Sequence, residues 1–400
     1  LREFGTKAEY GPDASSMKVC DLTQFYSPFS GGVKRYLEEK RKYAVANGHQ
    51  HLLIIPGDRT SCLETENSRT YSIKSPLVVR TSRYRALLNL GAVQQLLERE
   101  RPDVIESSDP YQLAWKAISS SRALRIPVVG FYHSHFPEAY LRTTSKFLGE
   151  TATEIAMEVA RTYVRALYNR FQATFVSSAA LGQVLAQWGV ENAILAELGI
   201  DTDIFRPGKD RDTTRARMEI PGDRFLLLYV GRLAHEKNVK TLFGAFEILN
   251  AANSGSFHLL VVGDGPLRDQ LRDLSRTTKA VSWLRYISVQ DELAALYRAA
   301  DLFVHPSVQE TFGLVALEAQ ASGTPVVGIR GSYMDRIILS DQAHWAEENS
   351  PESLAKAILE SKKLDLSQIG IAASHQVAKR YSWRRVFGQM FAIYGRLGER

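Results

Sequence analysis

Short apolar runs alternate with amphipathic stretches along most of the chain. MKVCDLTQF (17–25) and HQHLLIIPG (49–57) are apolar runs of strand length. Between them GGVKRYLEEKRKYAVANG carries its apolar positions at helical spacing and closes on Gly48. That is a βαβ unit. It recurs with RPDVIESS, IPVVGFYHS and ATFVSS as buried strands, separated by helical stretches such as Leu87 to Arg99 and Thr153 to Phe171. Apolar strands alternating with helices predict a parallel sheet covered on both faces. Around Gly199 the periodicity stops in LGIDTDIFRPGKDRDTTR, a polar segment with Gly and Pro that marks a domain boundary. The alternation then restarts: RFLLLYVG, VKTLFGAFEILNAA, SFHLLVVGDG, LRDQLRDLSRTT, AVSWLRYI, ELAALYRAA, DLFVHPS, the helix within ETFGLVALEAQASG, and TPVVGI. The expected architecture is α/β, two doubly wound, Rossmann-like domains facing a central cleft, with the chemistry just after the strands. The expected divisions are a loose tail at 1–16, an N-terminal domain at 17–198, a C-terminal domain at 199–380 and a terminal helix at 381–400.

Composition narrows the class. A chain of 400 residues, 44% hydrophobic, exceeds what one core usually holds, which agrees with two domains. No apolar run approaches the roughly 18 residues of a membrane span. Cys20 and Cys62 have no metal-type spacing and fit a reducing cytoplasm, as packing residues. Residues 1–16 lack the regions of a signal peptide, and Met17 is a candidate natural start. A net charge of +6 with pI near 9.1 admits a polyanionic substrate or an anionic membrane surface. Nucleic acid is set aside as a partner, because no helix-turn-helix, zinc-finger or RNA-binding signature occurs.

Four segments after strands carry candidate chemistry. In SPFSGGVKRY, Gly31 and Gly32 let backbone amides approach a phosphate at a helix start, although a bare turn also explains them. In GRLAHEKN, Arg232 and Lys237 can converge on a diphosphate, Arg by forked hydrogen bonds and Lys as a point charge; solvated surface cations are the alternative. In VVGDGP, Arg268 stands where a dinucleotide fingerprint needs a third glycine, which disfavours NAD and leaves a strand-closing turn as the other reading. In ETFGLVALE, the free amides of Phe312, Gly313, Leu314 and Val315 suit a phosphate at a helix N-terminus. A carboxylate beside that phosphate would repel it by about 1 kcal/mol or more. Glu310 is therefore assigned to neutral sugar hydroxyls, and Glu318, eight positions on, to the two hydroxyls of a ribose. Phosphate between a sugar and a ribose describes a nucleotide-sugar. An N-capping acid followed by an ordinary surface glutamate is the rival reading.

The ordered set of a Gly-Gly first loop, GRLAHEKN, VVGDGP, ELAALYRAADLFVHPS and ETFGLVALEAQASGTPVV resembles the family-4 retaining glycosyltransferases of GT-B fold, from Met17 onward. The resemblance implies that Gly231, Arg232 and Lys237 bind the donor diphosphate and that the Gly31-Gly32 loop approaches it from the other domain. It puts Glu310 on the donor hexose, the Phe312-Gly313-Leu314-Val315 amides on phosphate and ribose, and Glu318 on the ribose. His133, in FYHSHFPEAY, matches the family's histidine near the donor sugar and phosphate. LGIDTDIFRP resembles the interdomain segment and YSWRRVFGQMFAIYGRL the terminal helix that crosses back. Arg285, followed by Tyr286, stands where many members have glycine in the region that meets the base, so the base preference stays open. The loop GIRGSYMDRII lacks the usual acidic residue before its helix, and no site is drawn from it. His133 and His135 could form a metal pair, but no third ligand is evident and no metal is expected.

The catalytic set is then Glu310, Lys237, Arg232 and His133, with no cofactor and the nucleotide-sugar as substrate. The implied chemistry is a front-face transfer with retention, the leaving diphosphate stabilised by cations and helix amides; a covalent route through Glu310 is the other option. RTSRYRALLNLGAVQQLL and VKRYLEEKRKY mix cations with Tyr and Leu at helical spacing, which reads either as an interfacial face serving a lipid acceptor or as a solvated helix face. YSPFSGGVKRYL, RPDVIESSDPYQLAW and YHSHF resemble GDP-mannose-dependent enzymes acting on lipid-linked acceptors. A UDP-hexose is the main competing donor; a UDP-sugar 2-epimerase and a non-catalytic nucleotide-sugar binder are lesser alternatives. The expected location is the cytoplasm, peripheral on the inner face of the cytoplasmic membrane if the acceptor is a lipid.

Overall fold

The computed structural model describes residues 16–26, 32–79, 83–133, 150–308, 312–332, 334, 337–339 and 342–398. Two compact units emerge: Leu1–Leu198 with Trp383–Arg400, and Gly199–Ser382.

The first unit runs β1 (Lys18–Leu22), α1 (Gly32–Ala46), β2 (Gln50–Gly57), β3 (Ser61–Thr65), β4 (Ser68–Lys74), β5 (Leu77–Val79), β6 (Tyr84–Arg85), α2 (Leu90–Glu100), β7 (Val104–Ser107), α3 (Gln112–Leu124), β8 (Val128–Tyr132), α4 (Glu150–Tyr168), β9 (Ala173–Val176), α5 (Ala179–Gln187) and β10 (Ala193–Leu195). Its sheet has the order β10-β9-β8-β7-β1-β2-β4-β3. All neighbours are parallel except β3, which pairs antiparallel with β4 at the edge. β7, β8 and β9 are buried along their whole length, as continuous apolar strands covered on both faces should be. β3 is exposed throughout, and β5 and β6 form a separate two-stranded ribbon. Helix α2 starts at Leu90, three residues later than its apolar spacing suggests, because the Asn89 side chain accepts from the amide of Ala92 at 3.0 Å and fixes the start there.

A buried ionic cluster holds α1 and the C-terminal helix Trp383–Gly398 to this sheet. Lys40 of α1 reaches Asp21 of β1 at 2.8 Å and Glu106 of β7 at 3.2 Å, all three side chains fully buried. His51 meets the other Asp21 oxygen at 2.7 Å. The hydroxyls of Tyr36 and Tyr394 donate to the two oxygens of Glu106 at 2.8 and 2.5 Å. Of VKRYLEEKRKY, Tyr36, Leu37, Glu39 and Lys40 are buried by this packing, while the rest of the stretch is half-buried or exposed. In RTSRYRALLNLGAVQQLL, likewise, Leu87, Val93 and Leu97 belong to the core, while Leu88 is exposed.

The second unit runs α6 (Arg211–Arg217), β11 (Phe225–Val230), a 3-10 turn (His235–Lys237), α7 (Val239–Ala252), β12 (Phe257–Val262), α8 (Arg268–Thr278), β13 (Val281–Leu284), α9 (Gln290–Ala299), β14 (Leu302–Val304), α10 (Leu314–Ala321), β15 (Val326–Val327), α11 (Pro351–Ser361) and α12 (Leu366–Tyr381). Its five strands are all parallel, in the order β13-β12-β11-β14-β15. The chain grows outward from β11 on one side, then crosses to β14 on the other. The carboxyl ends of β11 and β14 therefore flank the topological switch point, where open α/β sheets take their ligands.

Candidate donor and catalytic site

Gly231 to Lys237 follows β11, and the segment leading into α10 follows β14, so the two strongest sequence motifs meet at the switch point. Backbone contacts lock the first of them. Gly231 N donates to Val262 O at 2.9 Å, Leu233 N to Asp264 O at 3.0 Å, and Leu267 N to Leu233 O at 3.0 Å. The approach is close enough that a Cβ on Gly263 would stand 1.9 Å from Gly231 O, and one on Gly265 would stand 2.4 Å from Leu233 O. The glycines of VVGDGP thus exist to let one post-strand loop lie on another, and the supported loop is the one that carries Arg232.

Arg232 is exposed and pairs with Glu236 one turn on, at 2.5 Å. Its carbonyl accepts from the Tyr229 hydroxyl at 3.0 Å, so the backbone is pinned while the guanidinium can exchange partners. Lys237 closes the 3-10 turn, half-buried. The next residue, Asn238, has a left-handed backbone and donates from Nδ2 to Pro306 O at 2.8 Å, which joins the loop after β11 to the loop after β14. Glu236, Asn238 and Asp264 were not singled out from the sequence, although all three lie inside the quoted motifs.

Helix α10 begins at Leu314 behind Gly313, whose φ of 74° is left-handed and which, having no side chain, cannot cap the first amides. Leu314 and Val315 are half-buried at that end; Phe312 is buried and meets Tyr381 edge-on at 6.1 Å, anchoring the turn. Glu310 lies outside the described residues, as do Gly31 and His135. Glu318 is not an open carboxylate: it is 1% exposed, and its Oε2 accepts from the Tyr297 hydroxyl of α9 at 2.9 Å. Arg285 grips Asp264 Oδ2 from Nε and Nη2 at 3.1 and 3.0 Å and lies over the Trp283 ring, while Tyr286 is 77% exposed beside it. Gly231, Arg232, Asp264 and Arg285 are thereby gathered at the carboxyl ends of β11, β12 and β13.

In the first unit, Gly32 opens α1, and His133 follows β8 directly. The imidazole stacks on Phe131 with centroids 3.9 Å apart and meets Tyr36 edge-on at 5.2 Å. Burial, with the nearby Lys40 cation adding to it, lowers the His133 pKa to about 3. The ring is neutral at physiological pH, so it offers hydrogen bonds and no cationic acid. Its Nε2 is enclosed and has no hydrogen-bond partner.

Comparison with known proteins agrees with this arrangement. Residues 30–204 match the family model described as Glycosyltransferase Family 4, and residues 210–371 the one described as Glycosyl transferases group 1. The GDP-mannose-dependent alpha-(1-6)-phosphatidylinositol dimannoside mannosyltransferase of Mycobacterium tuberculosis (strain ATCC 25177 / H37Ra) is 29% identical over 95% of this chain and 96% of its own. A GDP-mannose-dependent alpha-mannosyltransferase of Corynebacterium glutamicum is 29% identical over 94% of this chain and 88% of its own. Among solved structures, the sucrose-phosphate synthase of Thermosynechococcus elongatus superposes with a TM-score of 0.73 at 20% identity, covering 95% of this chain and 99% of that one. With both halves matched and the paired parallel sheets of the GT-B fold in place, the chain belongs to the group 1 and family 4 glycosyltransferases and is an enzyme of that class.

Proposed function

We propose that this glycosyltransferase moves mannose from GDP-mannose to a hydroxyl of a lipid or glycolipid acceptor, with retention at the anomeric carbon. The observation that carries the donor assignment is the Arg232–Lys237 loop, fixed by backbone contacts at the carboxyl end of β11 beside the switch point. A diphosphate would displace Glu236 from Arg232, draw Lys237 in as a point charge and meet the first amides of α10, to which Gly313 offers no side-chain cap. Mannose and a lipid acceptor are supported by near full-length similarity to enzymes named for GDP-mannose, one of them for a phosphatidylinositol dimannoside.

Transfer then proceeds by loosening of the bond between the anomeric carbon and the leaving phosphate oxygen. Negative charge developing on the diphosphate is met by Arg232, Lys237 and the α10 N-terminus, so the reaction is proposed to need no metal. The departing phosphate oxygen takes the proton of the acceptor hydroxyl, which attacks from the same face. Glu310 is assigned to the hexose hydroxyls, and neutral His133 donates or accepts a hydrogen bond beside the reacting sugar. For Glu318 a ribose contact requires its carboxylate to leave the cover it has in this structure, with Tyr297 holding one oxygen. Among the described residues no helix is long and apolar enough to cross a membrane. We assign a peripheral, cytoplasmic location, supported by the exposed Leu77, Val78 and Leu88 near Arg83 and Arg85.

The test is a metal-free thermal-shift series with GDP, UDP, ADP and their hexose conjugates, followed by product analysis with the preferred donor. A shift confined to GDP and GDP-mannose is expected. Lys237→Ala and Glu310→Ala should abolish turnover with the fold intact. A shift with uridine nucleotides alone would replace the donor, and near-normal rates in either variant would remove that residue from the mechanism.

A further inference from the structure

On one face of the carboxyl edge of the first unit's sheet, three polar side chains each have a buried atom without a hydrogen-bond partner; Ser107 Oγ, on the opposite face at the end of β7, is a fourth. Ser108 follows β7, His133 follows β8 and Ser177 follows β9. Ser108 and Ser177 are 3% and 1% exposed, and their Oγ atoms, like His133 Nε2, are enclosed without any hydrogen-bond partner. Leaving a buried hydroxyl or ring nitrogen unsatisfied costs roughly 1–3 kcal/mol, so three together are not explained by packing.

They share one face. Glu106, Phe131 and Phe175 all touch Tyr36 or Tyr394, so they point toward α1 and the C-terminal helix. Side chains alternate along a strand, and each of the three polar residues lies two positions beyond one of these. The ladder persists that far at β7, where Ser108 N donates to Leu22 O at 3.0 Å. At β9, Ser178 is still extended, with φ −146° and ψ 153°. His133 meets Tyr36 directly. Tyr132 pairs with Val176 in register, so His133 and Ser177 are neighbours across β8 and β9. Strands β7, β8 and β9 are adjacent, about 4.8 Å apart, and Ser107 pairs with Gly130, so Ser108 stands level with Phe131, two residues short of His133, and the three side chains form a staggered set about 12 Å across. It lies at the strand ends toward which α1 directs its N-terminus, since α1 returns antiparallel to the strand it follows.

Charge decides what such a row accepts. Lys40, the cation whose charge bears on His133, is already shared by the carboxyls of Asp21 and Glu106 and so is not free to hold an oxyanion. Two serine hydroxyls and a neutral imidazole each suit a partner that both donates and accepts. We infer that Ser108, Ser177 and His133 form a hydroxyl-binding row for a sugar or cyclic polyol ring, supplied by the donor hexose or by the acceptor. The inference rests on the transferase reading, and it assigns Ser108 and Ser177 roles that neither their composition nor their spacing signals.

The experiment uses Ser108→Ala, Ser177→Ala and the double variant of the full chain. GDP and GDP-mannose binding is followed by thermal shift, GDP-mannose hydrolysis by sugar release, and transfer by mannose incorporation into vesicles containing phosphatidylinositol mannosides. Each single variant should keep or raise the melting temperature, because an unsatisfied hydroxyl is removed, and should raise one KM by about tenfold. Weaker GDP-mannose binding with unchanged GDP binding places the donor hexose in the row. Unchanged hydrolysis with a raised KM for the vesicle acceptor places the acceptor ring there. Variants with wild-type constants throughout, or with a lowered melting temperature and unchanged KM, overturn the inference. Wild-type protein that binds no nucleotide and transfers nothing refutes the transferase reading instead, and the inference falls with it.

Discussion

Asp109 offers a prediction whose sign and size can both be worked out. It stands two residues beyond β7, 1% exposed, with Oδ2 accepting from Gln24 N and Oδ1 from Tyr111 N, each at 3.1 Å. Those bonds favour the carboxylate, but burial outweighs them and raises its pKa to about 6 from 3.8. Between pH 4 and pH 6 the folded protein holds a proton here that the unfolded chain has released. Folding is therefore opposed as pH rises through that window. About two pKa units correspond to about 3 kcal/mol, present as stability near pH 4 and lost by about pH 7. Asp109→Asn removes the titration. The amide can accept only one of the two backbone N–H groups, an offset of about 1 kcal/mol that does not depend on pH. The difference in stability between variant and wild type should accordingly rise by about 3 kcal/mol from pH 4 to pH 7. For a unit of this size that is roughly 6–12 °C in the difference of melting temperatures, read by scanning fluorimetry across pH. Asp21 does not interfere, because its pKa is lowered to about 2 and its contribution is lost only below pH 4, and in any case it cancels between the two proteins. A difference that stays flat from pH 4 to 7, or falls, would refute the assignment of a buried, proton-holding Asp109.

Three further outcomes follow from contacts described above. Lys40→Met leaves Asp21 and Glu106 buried without their shared cation and should cost about 3–5 kcal/mol in denaturant unfolding; a loss below about 1 kcal/mol would show the cluster to be hydrated. Gly263→Ala drives a Cβ into the Gly231 carbonyl, so the Arg232 loop must move, and GDP binding by calorimetry should weaken at least tenfold even where the fold survives. Glu236→Ala frees Arg232 from an exposed pair and should tighten GDP binding, by no more than about fivefold because such pairs hold under about 1 kcal/mol; weakened binding would mean that Glu236 positions the guanidinium rather than competing for it.

The way each feature is buried determined whether it could be read from the sequence. β7, β8, β9 and β12 are covered on both faces, so their apolar runs are continuous and stand out. β3 is exposed along its length and β6 is two residues long, and neither leaves a pattern. The motifs after β11 and β14 were legible because their glycines, cations and helix start lie within a few residues of one another. The burial of Lys40 and Glu318 could not be read, for the opposite reason. Each looks like a surface charge on a helix, and its covering partners are distant in sequence: Asp21 and Glu106 for the lysine, Tyr297 for the glutamate. Ser108 and Ser177 are harder still, because what distinguishes them is a partner they lack, and only the packed sheet reveals that. Local backbone geometry builds the Arg232–Lys237 loop, which could be read locally. The groups around His133 are brought together by the parallel order of β7, β8 and β9 and by a helix more than 200 residues later, so the proposed hydroxyl-binding set is a property of topology. Recognition of the donor hexose or of the acceptor should then be altered by substitutions along that strand edge, while nucleotide choice should respond to the loops after β11 and β13.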